Sequence, residues 1–68
     1  MANTYMKVEK FMEEIGAKTN AITFIVCCMG EQECFTKEEI DRLNRFWGNE
    51  EVDNYFMLNT HEMMIVIK

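Results

Sequence analysis

Ten residues in the first half of the chain, Ala21 to Gly30 (AITFIVCCMG), form its only long stretch without a charge. An apolar run of that length, rich in β-branched and aromatic types and closed by a glycine, predicts a buried strand rather than a helix. Side chains alternate along a strand, so Ile22, Phe24, Val26 and Cys28 point one way and Thr23, Ile25, Cys27 and Met29 the other. Both sets are apolar, and both faces of this strand therefore need shelter from water.

How much shelter the chain can offer is bounded by its size. With 68 residues it makes one domain, near the lower limit at which a single core sustains folding unaided. Chains of this size bury about 60% of their unfolded surface, so a partner or a second copy matters to stability. An apolar fraction of 49% argues against disorder.

The flanking segments read as follows. Asn3 or Thr4 caps a first helix whose apolar positions Tyr5, Val8, Phe11 or Met12, and Ile15 recur at intervals of three and four. Gly16 ends that helix as a left-handed cap. After Gly30, Glu31 to Cys34 reads as a polar loop. It leads to the most specific local signal, FTKEEI, in which Thr36 and Glu39 form a capping box and Phe35 and Ile40 the hydrophobic staple beside it. The helix that follows carries an inner stripe of Ile40, Leu43, Phe46 and Trp47 and stops at Gly48. Asn49 to Asn54 is acidic and fits either one more helical turn or a turn before a strand. Tyr55 to Leu58 and Glu62 to Lys68 read as two strands around a tight turn, with Asn59 the residue suited to positive φ.

The order helix, strand, helix, strand, strand predicts an α+β, two-layer domain: a three-stranded antiparallel sheet with two helices on one face. EMMIVIK falls in the centre if the last two strands form a hairpin beside the first; the order with the middle strand central is the alternative. Two helices cover only one face of such a sheet, yet the first and last strands are apolar on both. Ile25, Cys27, Met29, Met57, Met64 and Val66 are the outward candidates. An exposed patch of that kind marks an interface, and seven methionines in the chain supply adaptable contact surface. The competing explanation is that a terminus, the Glu31 to Cys34 loop or the Asn49 to Asn54 segment folds over it.

Charge narrows the choice of partner. Twelve acids against seven bases give a net charge of −5. That repels nucleic acid and anionic membrane surfaces and favours a partner with a basic surface. Glu31 to Asp53 alone holds eight carboxylates and three bases. Glu38, Glu39, Asp41, Glu50, Glu51 and Asp53 could line up as an acidic binding side, imitating phosphates, although Arg42 and Arg45 interrupt the row and a solvated helix face explains it better. The N-terminal residues lack a secretory or transit pattern, and no apolar run reaches bilayer-spanning length. The expectation is a cytoplasmic protein whose odd number of cysteines, three, are reduced thiols.

Catalytic signals are weak. There is no serine and no glycine-rich phosphate loop. Cys27, Cys28, Cys34 and His61 offer zinc-ligand chemistry, but neighbours on a strand point to opposite faces and no C-x-x-C is present. The sequence thus suggests a small acidic, non-enzymatic protein-binding module without cofactor, with a homodimer as one way to cover the sheet. By analogy of size and charge it fits a phage or mobile-element inhibitor of a nucleic-acid-handling defence enzyme, an anti-CRISPR-like role. The alternative is a metal- or thiol-dependent module using Cys27, Cys34 and His61.

Overall fold

A computed structural model describes residues 6–68. In chain order the elements are α1 (Val8–Glu14), a 3-10 turn, β1 (Thr23–Cys28), β2 (Glu31–Thr36), a second 3-10 turn, α2 (Ile40–Trp47), β3 (Val52–Met57) and β4 (Glu62–Ile67). The class is α+β, as expected. The sheet has four strands in the order β2-β1-β4-β3 and is mixed: β1 pairs antiparallel with β2 and parallel with β4, and β3 pairs antiparallel with β4.

The expected three-stranded antiparallel sheet is therefore corrected in two respects, and both have one cause. The segment Glu31 to Cys34 is not a loop but the start of β2. Met29 at φ 52° and Gly30 at φ 86° occupy the left-handed region together, as a two-residue type I′ turn requires, and that turn folds the chain straight back on β1. With the chain reversed once more than expected, the last strand returns parallel to β1. It still lies centrally, between β1 and β3.

One face of the sheet is dry. Phe24 and Val26 of β1, Phe35 of β2, and Met63, Ile65 and Ile67 of β4 point to the same side and bury against Val8, Phe11 and Met12 of α1 and Leu43 of α2. The capping box forms, with the Thr36 N–H donating to the Glu39 carboxylate at 2.9 Å; it opens on a 3-10 turn (Lys37–Glu39) before α2 proper. On α2, Ile40, Leu43 and Trp47 pack on the core, whereas Phe46 is 60% exposed and is a correction to the expected stripe. Positions 40, 43 and 47 fall on one line of a 3.6-residue helix and position 46 about a quarter turn off it. The Arg42 guanidinium sits 5.8 Å from the Phe46 ring centre and 5.7 Å from that of Phe35.

Other local expectations are also revised. The proposed caps Asn3 and Thr4, and Tyr5, lie outside the described residues; α1 starts after Lys7 without a side-chain cap. Gly48 caps the end of α2, but α1 ends at Glu14 with Ile15 as its cap and Gly16 opens the 3-10 turn that follows, so the expected left-handed cap does not form there; Gly30 is the glycine with positive φ. A Cβ at Gly16 would come within 2.6 Å of Met12 Cε, so close packing is what Gly16 permits. Asn59 does not adopt positive φ. Its Oδ1 accepts from the N–H groups of His61 (2.8 Å) and Glu62 (3.0 Å), an Asx-type turn built by the side chain. β3 begins at Val52, three residues before the expected Tyr55, with a bulge at Asp53.

Candidate functional site

The site follows from strand register. Ile25 lies opposite Cys34 on one side and Met64 on the other, and Met64 lies opposite Phe56. One apolar row, Cys34–Ile25–Met64–Phe56, thus crosses all four strands on the face away from the helices, about 14 Å from end to end at ordinary strand spacing. The next row is Gln32–Cys27–Val66–Asn54. On the other flank stand Thr36, Thr23 and Glu62, with Leu58, whose N–H donates to the Glu62 carbonyl at 2.8 Å. The arrangement is an apolar centre with a largely polar border. Phe56 is 45% and Leu58 46% exposed, and Ile25, Cys27, Met64 and Val66 are only half-buried, chiefly by one another. Among the described residues both helices lie on the opposite side.

Four of the five residues singled out on the sheet, Ile25, Cys27, Met64 and Val66, are brought together on this face, as two neighbouring cross-strand pairs. Met57 is not there. It pairs with Met63, whose side chain is buried in the core, and its sulfur lies 4.0 Å from the Thr19 hydroxyl on the helix side. Phe56 takes its place, because the register of β3 is set by the Asn59 turn. Met29, also among the outward candidates, stands at the hairpin tip and is 96% exposed. Phe56, Leu58 and Cys34 are contributors that sequence reading missed. Alternation against a buried partner would have found Phe56 once the turn length was known, while Cys34 was hidden by reading β2 as a loop.

The six acidic candidates do not form one row. Glu38, Glu39 and Asp41 stand at the start of α2, and Glu50, Glu51 and Asp53 follow its end, with eight helical residues or about 12 Å between the groups. Each group is partly neutralised: Arg42 lies 3.4 Å from Glu39 and Lys68 3.7 Å from Glu51. The Thr36 N–H holds the Glu39 carboxyl below the usual range against a smaller opposing effect of desolvation, with the Thr36 hydroxyl and Arg42 adding to it. On α1, hydrogen bonding and charge from Glu14, with Glu13 nearby, raise the Lys10 ammonium.

The thiols divide between the faces. Cys27 and Cys34 share the open face but sit diagonally, in adjacent rows, a separation of about 7–8 Å that is too wide for a disulfide. Cys28 packs against the core side, and all three are free. His61 is exposed at the entry to β4, level with Ile22 and so about five residues from the level of Cys27 along the sheet. Among the described residues no group of three or more His, Cys, Asp or Glu side chains is placed to hold a metal ion. A cleft of about 340 Å³ lies between the hairpin tip and Trp47, whose indole N–H donates to Glu33 at 3.0 Å. A second, of about 260 Å³, lies between α1 and β3.

Comparison with protein-family models, with curated proteins and with solved structures finds no match. No helix among the described residues is long and apolar enough to cross a membrane.

Proposed function

We propose that this chain is a small protein-binding module without catalysis of its own, docking a protein partner on the open face of its sheet. One observation carries the reading: the row Cys34–Ile25–Met64–Phe56, which puts apolar side chains in register across every strand while both helices stand on the other side. A continuous apolar patch with a polar border is the anatomy of a recognition surface rather than of ordinary solvent-facing sheet. The partner's complementary patch is apolar at its centre and basic around it, to match a chain of net charge −5. Nucleic-acid-handling enzymes present such basic surroundings, and inhibition of one, of the kind phages and mobile elements direct against defence enzymes, is the role that size and charge fit. Reduced thiols and a cytoplasmic setting accompany this reading.

Affinity capture with the full chain as bait tests it. The double variant Met64→Ser/Val66→Ser should lose the captured partner at least about tenfold, as removal of central interface anchors does. The triple variant Glu50→Lys/Glu51→Lys/Asp53→Lys should retain it with weaker salt dependence. The opposite pattern would transfer docking to the acidic side. A zinc adduct in native mass spectrometry, removed by chelation, would instead support the module of Cys27, Cys34 and His61 and defeat the docking reading.

A further inference from the structure

The outer edge of β3 is built differently from every other margin of the sheet, and we propose that it pairs antiparallel with β3 of a second copy of this chain, joining two sheets into one of eight strands. β3 has β4 on one side only, and an edge strand offers a row of backbone donors and acceptors that another strand can use. Here the row is already half used. Val52 N–H donates to the Met6 carbonyl and Val8 N–H to the Glu50 carbonyl, both at 2.8 Å, so the chain lays its own residues 6–8 antiparallel on the first part of this edge. Beyond Val52 no described strand continues the pairing.

The register of a self-pairing follows from hydrogen-bond parity. Leu58 N–H points inward to the Glu62 carbonyl, so in a regular strand Phe56 and Asn54 also face β4, while Tyr55 and Met57 turn their N–H and C=O groups to the open edge. The exposed Tyr55 N–H is held by the side chain of Asn54 at 2.9 Å, an interaction that a strand partner would replace. A twofold axis through Phe56 matches Tyr55 with Met57 of the second copy and Met57 with its Tyr55, giving four backbone hydrogen bonds. The same axis sets Phe56 against Phe56, so the apolar row of the open face runs unbroken through both copies.

Composition supports a copy of the chain as the occupant. Asn54 to Leu58 carries no charge in a chain with 28% charged residues, so two molecules of like net charge meet there without repulsion. In this register Asp53 falls opposite Asn59, not opposite another acid. β2, the other edge, is protected by Glu31 and Glu33, the device by which edges are kept apart. The dimer adds strands in the plane of the sheet and leaves the docking face free, so it does not rest on the proposed function.

Sedimentation and oxidative cross-linking of the full chain test the pairing. A dimer is expected at micromolar concentration. Met57→Pro, which removes an outward N–H that β4 does not use, should weaken it at least about tenfold, and Gln32→Pro on the edge of β2 should leave it intact. Phe56→Cys should form a disulfide between residues 56 of the two copies, because directly opposed residues of a non-hydrogen-bonded pair are the closest in an antiparallel ladder, whereas Leu58→Cys should not link to itself. The cross-link remains readable if the proline variant fails to fold. Three results overturn the proposal: a monomer at every concentration with no link at residue 56; a dimer dissolved by Met64→Ser/Val66→Ser but not by Met57→Pro; or a monomer whose Met57 amide resists hydrogen exchange, which would show the edge already paired within one chain. A monomer that still captures a partner would defeat only the pairing.

Discussion

The two faces of the sheet are written in nearly the same alphabet and end in different environments. On β1 and β4 the helix side holds Phe24, Val26, Met63 and Ile65, and the other side Ile25, Cys27, Met64 and Val66. The first set is buried almost completely and the second only by half. The difference lies in what is available to cover them, since two helices of seven and eight residues roof a single side. Apolar alternation therefore specifies that a residue belongs to a sheet, and the count of remaining elements decides which side stays wet. Where a small chain keeps both sides apolar, the second side is better explained by association than by folding.

The largest expected effect separates those faces within one strand. Phe24→Ala should cost about 3–5 kcal/mol in urea denaturation, because it empties a site closed on all sides, and a domain of this size has little more to lose. Ile25→Ala, one residue away, should cost no more than about 1 kcal/mol, since its surroundings are already half wet. Equal costs would mean that something covers the open face in solution and would abolish the contrast.

How much of this was legible in the residues depends on the range of the interaction. The box at Thr36 and Glu39, the stripe of α2 apart from Phe46, and the two-sided apolar character of AITFIVCC and EMMIVIK are local signals, and each appears in the fold. Of the six residues that alternation put outward, Ile25, Cys27, Met64 and Val66 land on one face, while Met29 stands at the hairpin tip and Met57 on the helix side. What escaped was set by turns. β2 is polar because one of its sides and its outer edge meet water, so EQECFT lacks a strand's apolar pattern, and its turn uses Met29 in a conformation usually left to asparagine or glycine. Phe56 and Met57 exchange faces with a one-residue change of register, which the sequence around Asn59 does not display. The acidic residues looked like a row because they are close in sequence, but α2 and the turns at its ends hold them in two groups.

The hairpin turn gives the intermediate effect and checks whether β2 completes the open face. Gly30→Ala forces a Cβ into a φ of 86° and should lower stability by about 1 kcal/mol, read as a drop in Tm. Met29→Asn, in the same turn, should raise it by a few tenths to about 1 kcal/mol, since asparagine tolerates the left-handed region and restores the preferred Asn-Gly pair. Were both substitutions neutral, Glu31 to Thr36 would not be held as a strand, and Cys34 would leave the apolar row.

The smallest effect concerns the start of α2, on the covered side of the molecule, and is visible only in acid. Glu39 is held below its ordinary pKa mainly by the Thr36 N–H. A carboxylate lowered on folding stabilises the native state fully above its unfolded pKa, about 4.3 for glutamate, and that contribution disappears as pH falls through the lower folded value. Glu39→Gln keeps an acceptor for the Thr36 N–H and so preserves the box geometry, but it has no proton to bind. Its stability should therefore decline less steeply than that of the parent chain as pH falls below the ordinary carboxylate value, with the two curves parallel near neutrality. Because Glu39 is on the helix side, the same substitution should leave capture by the open face unchanged at pH 7. A loss of capture there would show that the acidic start of α2 belongs to the docking surface, and the division between a structural and a recognition face would have to be redrawn around the end of the helix.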